Sequence, residues 1–255
     1  MNVEKIYIFQ GDSKNLGITF ESLSAIEKVI QNIFSDVIIR RWNHELNPPK
    51  QWQPNDLCVF PGGECSTWDA ILSDEVQTQI LKWIQSGGRL FGVCAGGYFF
   101  SRQSELLSAP GKLDIQSRAC ALFDGVCNGP VFSNGIEVVK VRWEKTKQEG
   151  YATVIKGGQF IPDEESSQES YEVLARFVDK SDAIAAIRCK KGNGRAILSS
   201  IHWEFNSGDF EPLKGSELEI SRKALNCLDA SETFRWNCFG DMIADTFDDV
   251  PEESE

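Results

Sequence analysis

Over the first hundred residues short apolar runs alternate with helical patterns, and this alternation restricts the chain more than any other feature. It is the signature of a parallel sheet whose strands are joined by crossover helices. Lys5 to Phe9 is the first run and stops at the turn signal Gly11-Asp12. A helix is predicted from Phe20 to Phe34, where Leu23, Ile26, Ile30, Ile33 and Phe34 share one face. Val37 to Ile39 is a second buried strand, and Asn43 to Asn55, with three prolines and a tryptophan, reads as a loop. A third strand, Leu57 to Phe60, runs into Pro61-Gly62-Gly63, where glycine permits a tight backbone path. The next helix has Ser73 as N-cap, Asp74 and Glu75 in its first turn, Val76, Ile80, Trp83 and Ile84 on one face, and Gly87-Gly88 as its stop. Arg89 to Val93 is a fourth strand, broken at Cys94-Ala95-Gly96-Gly97.

Beyond Ser104 the texture turns toward β. Asn134-Gly135 separates Val131-Phe132 from Ile136 to Val141, and Asn193-Gly194 separates Ala183 to Cys189 from Arg195 to Ile201, so both dipeptides predict hairpins. The second half is therefore expected to extend the sheet with antiparallel strands. Neither an internal repeat nor a linker interrupts the chain before residue 210; one helix is read from there to about Phe239, centred on Leu218 to Leu228. The expected organisation is a single domain over residues 1–240 and a frayed acidic tail over 241–255.

Composition removes several function classes. Of the 255 residues 38 are acidic and 26 basic, a net charge of −12, and the last fifteen residues alone hold seven acids and no base. A nucleic-acid partner needs a basic face, so none is expected. The eight cysteines are dispersed without a CxxC pair, the N-terminus lacks a secretory pattern, and no apolar run approaches the roughly 20 residues that span a bilayer. These features predict a soluble cytoplasmic protein with thiol cysteines and no membrane partner; oligomeric state is not encoded in them. Two isolated histidines give no metal-ligand spacing, and neither G-x-x-x-x-G-K-[ST] nor G-x-G-x-x-G occurs, so no metal or cofactor is expected.

The sharpest chemical signal is Gly92-Val93-Cys94-Ala95-Gly96, at the end of a predicted strand and the start of a predicted helix. A nucleophile elbow is a strained strand-to-helix turn whose glycines let the backbone fold tightly and lift the central side chain above the sheet edge. The helix N-terminus would favour the Cys94 thiolate, and the Ala95 N–H would help hold an oxyanion. A buried cysteine beside a glycine-rich turn is the bland alternative. A nucleophilic thiol also needs a base. His44 lies in the proline-rich loop with no orienting group, whereas His202 ends an apolar strand and precedes Glu204 by two residues. In extended backbone those positions point to the same side, so Glu204 can fix the imidazole tautomer. Glu64 and Cys65, just past Gly63, would face the same mouth of the sheet.

An elbow cysteine followed about a hundred residues later by His-x-Glu resembles the class I glutamine amidotransferase-like superfamily. Phe60-Pro61-Gly62-Gly63-Glu64, the elbow, Gly157-Gly158-Gln159-Phe160 and Ile201-His202-Trp203-Glu204-Phe205 look most like the domain at the N-terminus of eukaryotic biotin-protein ligases, over about residues 3 to 210. The resemblance implies a flavodoxin-like α/β three-layer sandwich with a mostly parallel central sheet. It carries Cys94, His202 and Glu204 over as nucleophile, base and orienter, and pairs the Gly63 N–H with that of Ala95 as an oxyanion hole. Gly158 becomes a pocket candidate by analogy, beside Glu64, Cys65 and Tyr98. Superfamily members usually read His-Pro-Glu, and Trp203 departs from that. Gly192-Asn193-Gly194-Arg195 is like a biotin-binding loop in composition but reads as a hairpin turn, and after residue 210 no room is left for a ligase domain, so biotin transfer is not expected. Two readings follow: a cysteine-dependent enzyme acting on a small amide or peptide, or a catalytically silent binding module that keeps the elbow.

Overall fold

The computed structural model describes residues 4–12, 18–34, 36–43, 45–132, 135–164, 170–213 and 220–247. The α/β half follows the sequence except at its second strand. The buried strand expected at Val37 to Ile39 is instead an edge strand over Ile38–Trp42, in which Ile38, Arg40 and Arg41 are exposed and only Trp42 is buried, because an edge position leaves one side of the strand uncovered. In chain order this half comprises β1 (Lys5–Phe9), α1 (Phe20–Ile33), β2 (Ile38–Trp42), β3 (Leu57–Phe60), α2 (Trp68–Ile71), α3 (Asp74–Gln85), β4 (Arg89–Val93) and α4 (Ala95–Phe99). Thr19 caps α1 by accepting from the Ser22 N–H at 3.4 Å, and Ser73 caps α3 by accepting from the Val76 N–H at 3.4 Å. Ile6 and Ile8 pack with α1, while Tyr7 and Phe9 pack on the opposite face with the Trp42, Trp52, Trp68 and Trp83 cluster. Alternate residues of one strand thus serve two cores, which is why the inner parallel strands β1, β3 and β4 read as mostly apolar runs. The loop containing the prolines includes a short 3-10 turn, Pro49–Gln51, and its Trp52 is buried against Tyr7 at 5.3 Å.

The second half adds β5 (Ser101–Ala109), β6 (Lys112–Ser117), β7 (Phe123–Gly129), β8 (Ile136–Trp143), β9 (Glu149–Ile155), β10 (Gln159–Pro162), β11 (Tyr171–Phe177), β12 (Ala183–Lys191), β13 (Gly194–Ser199), α5 (Arg222–Ala230) and α6 (Glu232–Phe247). The large sheet has nine strands in the order β2-β1-β3-β4-β13-β12-β11-β8-β9. Neighbours from β2 through β4 to β13 are parallel, and those from β13 to β9 are antiparallel, the extension expected from the sequence. The hairpin at Asn193-Gly194 joins β12 to β13, with Lys191 opposite Gly194. A separate four-stranded sheet, β10-β7-β5-β6, was not foreseen; its alternating polar and apolar residues give weaker strand signals than the buried runs.

Three other expectations change. Val131 and Phe132 lie outside any strand, and β8 pairs with β9 and β11, so the second predicted hairpin does not form; Asn134 itself lies outside the described residues. The single C-terminal helix is two. Ser221 caps α5 through the Ala224 N–H at 3.2 Å, and Ser231 ends it while its hydroxyl accepts from the Tyr151 N–H at 3.0 Å. Finally, the acidic segment is helical through Phe247 instead of frayed from residue 241. Met242 and Ile243 are fully buried beside Phe239, and Asp245 is held by Lys145 at 3.1 Å and, through its carbonyl, by Arg188 at 3.1 Å. Net charge concealed an apolar face at helical spacing. Residues 248–255 lie outside the described residues.

Candidate active site

Cys94 stands between β4 and α4 with φ 51° and ψ −101°. A non-glycine residue there is strained and must be held by its surroundings. Its N–H donates to Ser199 O, at the end of β13, at 2.7 Å, and its carbonyl accepts from the Tyr98 N–H at 3.2 Å. The flanking glycines are required by contact: a Cβ on Gly92 would lie 2.9 Å from Gly96 C, and one on Gly96 would lie 3.0 Å from Phe60 O. The elbow read from the sequence is therefore present. The following helix is only five residues long before the chain enters β5, so its dipole is smaller than expected.

His202 follows β13 and is fixed by the far edge of the same sheet, because its N–H donates to Thr153 O of β9 at 2.8 Å. Its Nδ1 lies 2.7 Å from Glu204 Oε1, in agreement with the i, i+2 argument. Trp203, between them, is fully buried and donates from Nε1 to Ser199 Oγ at 2.8 Å. The residue that replaces the usual proline thus ties the dyad back to the strand that supports the elbow.

Sequence reasoning missed two residues behind this dyad. Ser22 of α1 donates to Glu204 Oε1 at 3.2 Å and accepts from the Gly62 N–H at 2.9 Å. A Cβ on Gly62 would lie 2.4 Å from His202 Cε1, so only glycine leaves space for the ring. The Pro-Gly-Gly run hinted at Gly62; nothing distinguishes Ser22 among serines on a helix. Burial opposes a charge on the imidazole, but the Glu204 carboxylate and the Cys94 sulfur outweigh it and raise the pKa of His202 to about 10. His202 Nε2 is buried and makes no hydrogen bond of ordinary geometry, while the Cys94 thiol donates to Ile155 O at 3.6 Å.

Cys94 and His202 line one cleft of about 590 Å³ together with Gly63, Ala95, Glu64, Cys65 and Tyr98. The opposite wall is the inner face of the β5–β6 pair: Ser104, Leu106 and Ser108 alternate along one strand, and Asp114 and Gln116 face them from the other. Gly158 is not in the lining. It sits behind the wall, where a Cβ would lie 2.8 Å from the Tyr98 hydroxyl, and it allows that hydroxyl to donate to Lys156 O at 2.7 Å. His44 lies outside the described residues. Among the described residues no three His, Cys, Asp or Glu side chains gather as metal ligands would, and no helix is long and apolar enough to cross a membrane.

Residues 4–250 match the family described as Biotin-protein ligase, N terminal. The chain belongs to the biotin-protein ligase N-terminal family. Among curated relatives, it is 28% identical over 182 residues to a biotin–protein ligase of Schizosaccharomyces pombe, covering 66% of this chain and 28% of the ligase. It is 27% identical over 169 residues to an uncharacterised protein of Chlamydia muridarum, covering 63% of this chain and 64% of that one. The biotin-protein ligase N-terminal match thus spans less than two thirds of either relative. Among solved structures, a glutamine amidotransferase superposes with a TM-score of 0.54 at 16% identity, covering 77% of this chain and 89% of its own. An exo-β-1,4-mannosidase from an Opitutaceae bacterium gives 0.55 at 11% identity over 97% of this chain and 37% of its own. These likenesses establish the amidotransferase-like fold, and the variety of their names shows that the fold alone does not set the chemistry.

Proposed function

We propose that the protein cleaves an amide or peptide bond through a thioester on Cys94. The Cys94 sulfur attacks the carbonyl carbon; His202 takes the thiol proton and delivers it to the departing amine; Glu204 orients the imidazole; and the N–H groups of Gly63 and Ala95 stabilise the tetrahedral oxyanion. Water, activated by His202, then hydrolyses the thioester and returns the free thiol. The observation that carries this reading is convergence: a strained elbow cysteine and a buried histidine backed by Glu204, from elements more than a hundred residues apart, meet at one cleft that Cys94 and His202 line. A cleft of about 590 Å³ is of the size that takes a small-molecule amide or a short stretch of peptide. Hydrolysis needs no second protein, whereas delivery of ammonia would need an acceptor site.

One observation favours a silent binding module instead: the Cys94 thiol donates to Ile155 O, and no hydrogen bond of ordinary geometry joins it to His202 Nε2. Catalytic hydrogen bonds often tighten only when substrate enters, so the enzymatic reading keeps precedence. Incubation with glutamine, simple amides and a peptide-amide library, with detection of released ammonia or amine and of an acylated intact mass, separates the two. The enzyme reading expects release by wild type and none by Cys94→Ser; binding without release or acylation across the panel contradicts it.

A further inference from the structure

Arg235 of α6 is fully buried, an unusual position for a guanidinium. Taking such a charge out of water is costly unless nearby groups compensate it. Among the described residues no carboxylate lies within ion-pair distance, and its partners are neutral oxygens. It donates to Asn206 Oδ1 at 2.9 Å, to Tyr151 O at 3.3 Å and to Leu228 O. Two of these contacts bear on the dyad. Asn206 is two residues beyond Glu204, and Tyr151 is two residues before Thr153, whose carbonyl holds the His202 N–H.

Glu204 has the complementary deficit. Its side chain is buried, Oε1 receives both His202 and Ser22, and Oε2 has no hydrogen-bond partner. We propose that Arg235 is a positioning residue for the proposed triad: a buried cation that balances the Glu204 carboxylate and braces the two backbone segments carrying Glu204 and holding His202. Burial presses the Arg235 guanidinium down to about 10, while Glu232, Asp229, Glu204 and Asp209 act to raise it, so it stays charged at neutral pH. The groups around His202 are Cys94 and Glu204, with Glu64, Cys65, Tyr98, Asp114 and Lys156 in the same cleft.

The inference rests on the triad reading, but its test needs no amide turnover. In a His44→Gln background the only imidazole resonances are those of His202, and their titration is compared between the parent and Arg235→Met, Arg235→Lys and Asn206→Asp. Removing the cation favours the imidazolium and disfavours the thiolate. Arg235→Met should therefore raise the His202 midpoint by roughly one pH unit and slow Cys94 alkylation at pH 7 about tenfold, and Arg235→Lys should restore most of both. Asn206→Asp keeps an oxygen acceptor for the guanidinium while neutralising it, so it tests the charge even if Arg235→Met does not fold; the same direction of shift is expected. If the midpoint and the alkylation rate are unmoved in Asn206→Asp, or in a folded Arg235→Met, Arg235 is only an anchor for α6 and the proposal is overturned. Amide release that persists alongside unmoved midpoints would overturn the role of Arg235 while leaving the proposed hydrolysis standing.

Discussion

At the scale of single residues, the support behind the dyad is as specific as the dyad. Adding one methyl at Gly62 would set a carbon 2.4 Å from His202 Cε1, with Ser22 Oγ 3.1 Å away on another side. The ring must move. Gly62→Ala is expected to slow Cys94 alkylation, and any amide release, by about 10²-fold, the order of loss that follows a small misplacement of a reacting group. Ser22→Ala removes a hydrogen bond to a buried carboxylate, an effect of about 1.5–3 kcal/mol in chemical-denaturation measurements. Neither position was legible in advance to the degree that Cys94, His202 and Glu204 were. Those three announce themselves by residue type and local spacing, whereas Ser22 meets Glu204 across 182 positions of chain, a relation that only the fold supplies.

At the scale of elements, legibility followed how local the signal was. α1 and α3 matched their reading nearly residue for residue because apolar spacing, and for α3 the capping hydroxyl of Ser73, lie within a short stretch of chain. β5, β6, β7 and β10 did not, because their half-polar alternation leaves the choice of partner to distant strands; β5 and β7 even pair in parallel. The C-terminal helices show charge misleading the eye. Residues 241–247 carry acids, yet Met242 and Ile243 complete the packing of α6. Met242→Ala should therefore cost about 2–5 kcal/mol, the range for a buried large-to-small change, measured by urea denaturation; an effect within 0.5 kcal/mol would contradict the buried position.

At the scale of the whole molecule, the nine-stranded sheet brings its far edge back to its centre. β9 closes onto His202, three residues past the end of β13, through Thr153, so His202 is held by the antiparallel extension while Cys94 is held by the parallel core. This arrangement links stability to pH. The pKa of His202 is raised in the folded state above the value of about 6.5 for a free imidazole, so its contribution is fully present below pH 6.5 and lost as pH rises toward about 10. The stability difference between wild type and His202→Gln should shrink over that window; a difference that grows would have the wrong sign. Cys65, in the same cleft wall, serves as the internal comparison, since burial pushes its thiol up to about 11. The most direct measurement is site-mapped iodoacetamide labelling from pH 5 to 9, comparing Cys94 with Cys65 in wild type and His202→Ala. An activated nucleophile requires Cys94 to label first below pH 7 and to lose that advantage without His202. Labelling of Cys94 no faster than Cys65, or unchanged by His202→Ala, would contradict it.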